Sequence, residues 1–201
     1  QIAYQIWNEE DSPPENPSAI GIPPHYFALV LERTAAAIRQ VTSKSRIVIG
    51  GLNSGPENAV TYVRQVQAKL SGRLPVDALA YHPYGRYVHT DPFYNKQFGT
   101  LQTSLHVFKR AFPQLPLWIT EIGVAADDPI GPENYEKIAL YMREFVQELS
   151  ANHTQYVPVL IWFAWSDLMR NAGITTVDGQ LKPYIGDAFR EMVAVGQREI
   201  A

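Results

Sequence analysis

Two hydrophobic periods alternate strictly along this chain, and that alternation limits its fold more than any other feature. Five runs rich in apolar, β-forming residues recur: Ile2 to Trp7, Arg46 to Gly50, Val76 to Tyr81, Leu117 to Thr120 and Val159 to Ala164. Each is followed by a helical pattern. Phe27, Val30, Leu31, Thr34, Ile38 and Val41 return at three- and four-residue intervals, as do Val60, Val63, Val66 and Leu70. A third helix is expected from Thr100 to Phe112. A fourth follows Pro132 and turns Ile138, Tyr141, Met142, Phe145 and Leu149 inward, and a fifth starts near Ile185 and buries Phe189, Met192 and Val193. Near-continuous apolar strands joined by crossover helices imply an α/β fold with a parallel sheet covered by helices.

The connections are unequal. Segments after the strands, such as Asp11 to Pro24, His82 to Phe98 and Ala125 to Pro132, are long and rich in Pro, Gly, Tyr and Asp. Helix-to-strand links such as Thr42 to Ser45 are short, which places a functional surface at the carboxyl ends of the strands. Two glutamates fall there: Glu9 in Trp7-Asn8-Glu9, and Glu121 after Leu117-Trp118-Ile119-Thr120. A carboxylate at the end of a buried strand is costly without a partner or a task, so the two suggest one shared site.

Composition narrows the partners. With a formal net charge of −3 and 18% charged residues, the surface does not attract nucleic acid or an anionic membrane. The longest apolar run, Val157 to Trp165, is broken by Pro158 and is far short of the ~20 residues that a membrane-spanning helix needs. There is no cysteine, so disulfides and thiolate chemistry are excluded and the redox compartment is unreadable. His25, His89, His106 and His153 have no ligand spacing, and no metal or other cofactor is inferred. Four Trp and eleven Tyr suit the apolar faces of sugars but also suit an ordinary core.

Four motifs in order carry a resemblance: Trp7-Asn8-Glu9, then His82-Pro83-Tyr84, Trp118-Ile119-Thr120-Glu121 and Trp162-Phe163-Ala164-Trp165-Ser166, each at a strand end. Together they resemble the clan of retaining (β/α)8-barrel glycoside hydrolases, the cellulase, xylanase and β-glycosidase type. There the Asn-Glu pair ends strand four and the second glutamate ends strand seven. The implied architecture is a partial TIM (β/α)8 barrel, with residues 1–201 as the C-terminal portion of the catalytic domain, strands four to eight, and the first three strand-helix units absent. The open sheet edges would then be covered by a missing N-terminal segment or by a second copy in a homo-oligomer. The resemblance does not by itself imply activity for the isolated chain, since the clan takes further sugar contacts from the early strands.

The resemblance implies hydrolysis of a β-linked polysaccharide or oligosaccharide by double displacement. Glu9 would be the acid/base and Glu121 the nucleophile, with carboxyl groups ~5 to 5.5 Å apart and environments that keep Glu9 protonated and Glu121 ionised. Asn8 would bond the sugar 2-hydroxyl beside the nucleophile. His82 and Tyr84 would line the site, and Trp165 would be the floor beneath the sugar, with Trp162 on the opposite face of the strand. His82 and Tyr84 are also consistent with packing. A noncatalytic carbohydrate-binding relative of the same fold is the alternative.

Three smaller expectations complete the reading. Glu10, where many relatives have proline, and Asp11 read as solvated charges on the cleft rim. Asn53, Ser54 and Asp167 suit either substrate contact or polar turns. Asp178-Gly179 reads as a hairpin turn beside the last strand. The compartment is not encoded in these residues, although clan members of this type suit an extracellular setting.

Overall fold

A computed structural model describes residues 2–16, 19–84, 100–124, 129–169 and 171–198. The elements alternate as expected: β1 (Ala3–Ile6), α1 (Pro24–Val41), β2 (Arg46–Leu52), α2 (Pro56–Lys69), β3 (Ala78–Tyr81), α3 (Leu101–Ala111), β4 (Leu117–Ile122), α4 (Tyr135–Asn152), β5 (Leu160–Trp162) and α5 (Ile185–Arg198). All strands are parallel, in the order β1-β2-β3-β4-β5. When each crossover returns to the next strand with the same hand, every helix lies on one face of the sheet and the other face curls inward. The result is a partial (β/α)8 barrel.

The two faces are packed differently. On the helix side lies the main core, with Phe27, Leu31, Ile47, Ile49, Val63, Leu79, Phe108, Leu117, Ile119, Met142 and Phe145 all fully buried. On the inner side Val48, Ala78 and Ala80 form a smaller cluster against Trp118. Small residues there leave room for side chains that enter from the strand ends.

Helix boundaries follow local chemistry. Pro24 and Pro56 open α1 and α2, where a missing N–H is no loss. Thr100 caps α3 by accepting from the Thr103 amide at 3.2 Å. The inward faces of α2 and α4 are as expected, but α1 is rotated. Ala28 and Ala35 lie in its buried stripe with Phe27 and Leu31, while Val30 and Val41 are exposed, because small alanines let the helix approach the sheet. In α5, Val193 is likewise exposed, with Phe189 and Met192 half-buried.

Two strands differ in length from expectation. β4 continues to Ile122 and so contains Glu121. β5 stops at Trp162 because Ala164 turns its backbone bonds to Ala172 (3.1 Å) and Ile174 (3.0 Å). The loop beyond is held by the buried ammonium of Lys182, 2.6 Å from Asp167 Oδ1, which also accepts from the Gly173 amide. Asp167 is thus a structural anchor. The expected hairpin forms around Gly179, at φ 84°, with the Thr176 amide bonded to Gln180 O at 2.9 Å.

β1 and β5 are the edge strands among the described residues, and each carries an exposed large apolar side chain. Ile2 just before β1, Tyr4 in β1 and Ile161 in β5 are all exposed. No described helix is long and apolar enough to cross a membrane.

Candidate active site

The turn after β1 brings Glu9 into the barrel. Trp7 and Glu9 both have left-handed backbones, at φ 73° and 54°, a conformation that L-residues adopt only when their surroundings enforce it. The enforcing contacts are visible. Glu9 N donates to Gly51 O at 3.0 Å, Trp7 Nε1 reaches Ile20 O at 3.3 Å, and Ile22 N donates to Glu10 O at 2.8 Å.

Asp11 fastens the far side of the turn. Its carboxylate accepts from the amides of Asn53 (2.8 Å) and Ser54 (3.1 Å) and from the Ser54 hydroxyl. Burial raises its pKa, and those three bonds oppose the rise. Asn53 and Ser54 therefore form a polar turn that receives Asp11, and Asp11 is not a free rim charge.

Glu10 differs more sharply from the expected solvated charge. Its side chain is 1% exposed, because the glycine at position 50 leaves a gap that the carboxyl occupies. A Cβ on Gly50 would lie 1.9 Å from Glu10 Oε2. The turn cannot direct Glu9 inward without directing its neighbour toward the helix side.

Glu9, itself buried, meets His82 just beyond β3. Oε1 lies 3.0 Å from His82 Nδ1, and His82 Nε2 lies 3.1 Å from Thr120 Oγ1 on β4. A proton on Nδ1 serves the carboxylate, and Nε2 then accepts from the Thr120 hydroxyl. Gly51 makes this fit, since a Cβ there would stand 1.8 Å from His82 Nε2. Gly51→Ala is thus expected to displace a fully buried imidazole, lowering stability by roughly 1–3 kcal/mol and hydrolysis with it; urea denaturation and initial rates check both.

Glu121 completes the cluster from β4. Tyr84 OH donates to its Oε2 at 3.1 Å, and His82 Nδ1 is 3.7 Å from the same oxygen. One carboxylate oxygen of Glu9, one of Glu121 and an imidazole nitrogen of His82 all lie within 4.8 Å of one another. A cation would have to compete for these atoms with Tyr84, Thr120 and the imidazole proton, so the arrangement is better suited to moving protons.

Two of the remaining expected residues, Asn8 and Trp165, are exposed beside the strand ends. Asn8 is exposed, and its Oδ1 accepts from Gln5 Nε2 at 3.3 Å. Trp165 lies past the end of β5, 63% exposed, with its ring edge toward Phe189 on α5 at 6.3 Å. Trp162 is buried against the Tyr141 ring of α4. Most of the expected loop from His82 to Phe98 lies outside the described residues, as do His89 and residues 125–128. Sequence reasoning did not single out Thr120, or Gly50-Gly51 as the source of room for two buried side chains; paired glycines at the end of a strand were the available signal.

A family model described as the glycosyl hydrolase catalytic core matches residues 14–187, a span that includes His82, Tyr84 and Glu121 and begins just after Glu9. The chain belongs to this family. Among solved structures, it resembles a GH128 (subgroup VI) exo-β-1,3-glucanase from Aureobasidium namibiae at 16% identity, TM-score 0.64, covering 96% of this chain and 67% of that one. A GH128 (subgroup II) endo-β-1,3-glucanase from Pseudomonas viridiflava shares 21% identity at TM-score 0.62, over 86% and 64% of the two chains. The GH53 catalytic domain of Ignisphaera aggregans is 13% identical at TM-score 0.64, over 94% and 58%. These glycosyl hydrolase neighbours share the fold, and this chain spans from 58 to 67% of their lengths. No curated protein matches the chain.

Proposed function

We propose that this glycosyl hydrolase core cleaves β-linked glycosidic bonds with retention of configuration, with Glu9 as acid/base and Glu121 as nucleophile. The observation that supports this reading is the convergence of the two carboxylates on His82, with one oxygen of each and an imidazole nitrogen within 4.8 Å of one another. A retaining pair stands ~5 to 5.5 Å apart, whereas an inverting pair leaves ~6.5 to 9.5 Å for a water.

In the first step Glu121 attacks the anomeric carbon while Glu9 gives its proton to the departing oxygen. In the second, Glu9 takes a proton from water, which attacks the same carbon and releases Glu121. Tyr84 orients the nucleophile through its hydroxyl. His82 ties Glu9 to β3 and β4, so the proton donor keeps its distance from the bond to be cleaved. Asn8 would bind the 2-hydroxyl and Trp165 would stack under the sugar ring. The substrate class is a β-linked oligo- or polysaccharide, with β-1,3-glucans the first to try because two neighbours carry that name.

Domain organisation belongs to the same proposal. The exposed apolar side chains beside β1 and β5 are what strands meeting further strands of one barrel would present. The five units here then supply both carboxylates, and the rest of the cleft comes from the units that close the barrel.

Proton NMR of the first sugar released from a β-1,3-glucan oligosaccharide tests the mechanism. The β-anomer is expected to appear first and to mutarotate later. Initial release of the α-anomer would defeat the nucleophile assignment, and binding of the sugar without any release would favour the noncatalytic relative.

A further inference from the structure

Glu10 is a buried carboxyl that the proposed mechanism does not use. It occupies the gap over Gly50 at 1% exposure, and neither of its oxygens has a hydrogen-bond partner. Its own carbonyl accepts from Ile22, and the next residue in one direction is Glu9, in the other Asp11. The charged groups that act on it are Asp11 and Glu9, both acidic. The titratable group facing it from α2 is Tyr62, whose hydroxyl donates to Ile22 O at 2.7 Å.

We propose that Glu10 is a positioning residue: as a neutral acid seated over Gly50 it locks the turn that carries Glu9, and loss of its proton unlocks that turn. The inference rests on Glu9 acting as the acid/base, but the seating of Glu10 does not. A neutral carboxyl fits a buried gap that a carboxylate cannot occupy without a counter-charge. Glu9 holds a left-handed backbone, and its amide bond to Gly51 is made one residue from where Glu10 rests on Gly50. Expelling Glu10 therefore pulls on the bond that aims Glu9.

The pKa of Glu10 is raised to about 8. Burial is the largest cause and the negative charges of Asp11 and Glu9 add to it; the nearby amides of Glu10 and Gly50 oppose it from outside hydrogen-bond geometry. The sign of the linkage follows. A carboxyl with its folded value above its unfolded one gives stability that is complete below the unfolded value, about 4.5, and is lost as pH rises through about 8.

Thermal midpoints of the wild type, Glu10→Gln and Glu10→Ala, measured from about pH 5 to pH 9 with kcat and KM at each point, test the proposal. The wild-type midpoint is expected to fall relative to that of Glu10→Gln by roughly 5 °C or more across this range. Glu10→Ala should lose about tenfold in kcat with little change in KM at pH 6, the amide variant should restore most of it, and its alkaline limb should move upward. Superimposable midpoint profiles for the wild type and Glu10→Gln would overturn the seating of a neutral acid. An unchanged alkaline limb in Glu10→Gln would overturn its effect on Glu9. If no sugar is hydrolysed by any form, the midpoint profiles still decide the first point, so failure of the glycosidase reading is separable from failure of this one.

Discussion

Glu121→Ala is expected to reduce kcat on a β-linked oligosaccharide by roughly 10⁴- to 10⁶-fold, the range seen when a nucleophile or its essential partner is removed. KM should change little, because the lost interaction is made with the anomeric carbon only as the bond forms. The fold should survive. Glu121 keeps 27% of its side chain exposed, and its partner Tyr84 is only half-buried, so water can replace the lost acceptor. Added azide should restore turnover by entering the vacated space and attacking the same face of the sugar. With a β-linked substrate and the proton donor intact, the product is the α-glycosyl azide. Retention of more than about one hundredth of the wild-type rate without azide would remove Glu121 from the role of nucleophile.

Much of this arrangement was legible in the sequence because its causes are local. A buried parallel strand must be apolar along its length, so the five runs announced the sheet, and an acid at the end of such a run stands out against that background. His82, Tyr84 and Glu121 could be placed at one end of the barrel because each immediately follows or ends a strand, and the structure brings them together with Glu9. Other features depend on partners distant in sequence. Glu10 lies between two acids in a Pro-rich segment and looks solvated until β2 is placed beside it with a glycine at position 50. Asp11 likewise needs the amides at positions 53 and 54 before its role as an anchor appears. The early end of β5 comes from bonds between Ala164 and residues 172 and 174, which compete with the sheet ladder in a way that no period reveals. Val30 and Val41 fit a helical stripe as well as Ala28 and Ala35 do, and only close approach of α1 to the sheet chooses the alanines.

Glu9→Ala should behave differently from the Glu121 variant, and the difference separates their roles. Natural β-linked sugars need a proton on the departing oxygen, so kcat/KM on them is expected to fall by about 10²- to 10⁴-fold. An aryl glycoside with a strongly acidic phenol leaves without that proton, and its first step should be nearly as fast as in the wild type. The glycosyl-enzyme formed on Glu121 then accumulates, because no base remains to activate water. Burst kinetics followed by slow turnover are therefore expected with this substrate. Azide needs no base and should accelerate the second step, but it now attacks an intermediate already inverted once, so the product is the β-glycosyl azide. Removing Glu9 also strips His82 Nδ1 of its 3.0 Å partner inside the barrel, at a cost of about 1–3 kcal/mol in stability, which urea denaturation would read. Opposite azide anomers from the two variants are what the roles require. A β-azide from Glu121→Ala together with an α-azide from Glu9→Ala would exchange them, making Glu9 the nucleophile and His82 the residue that orients it.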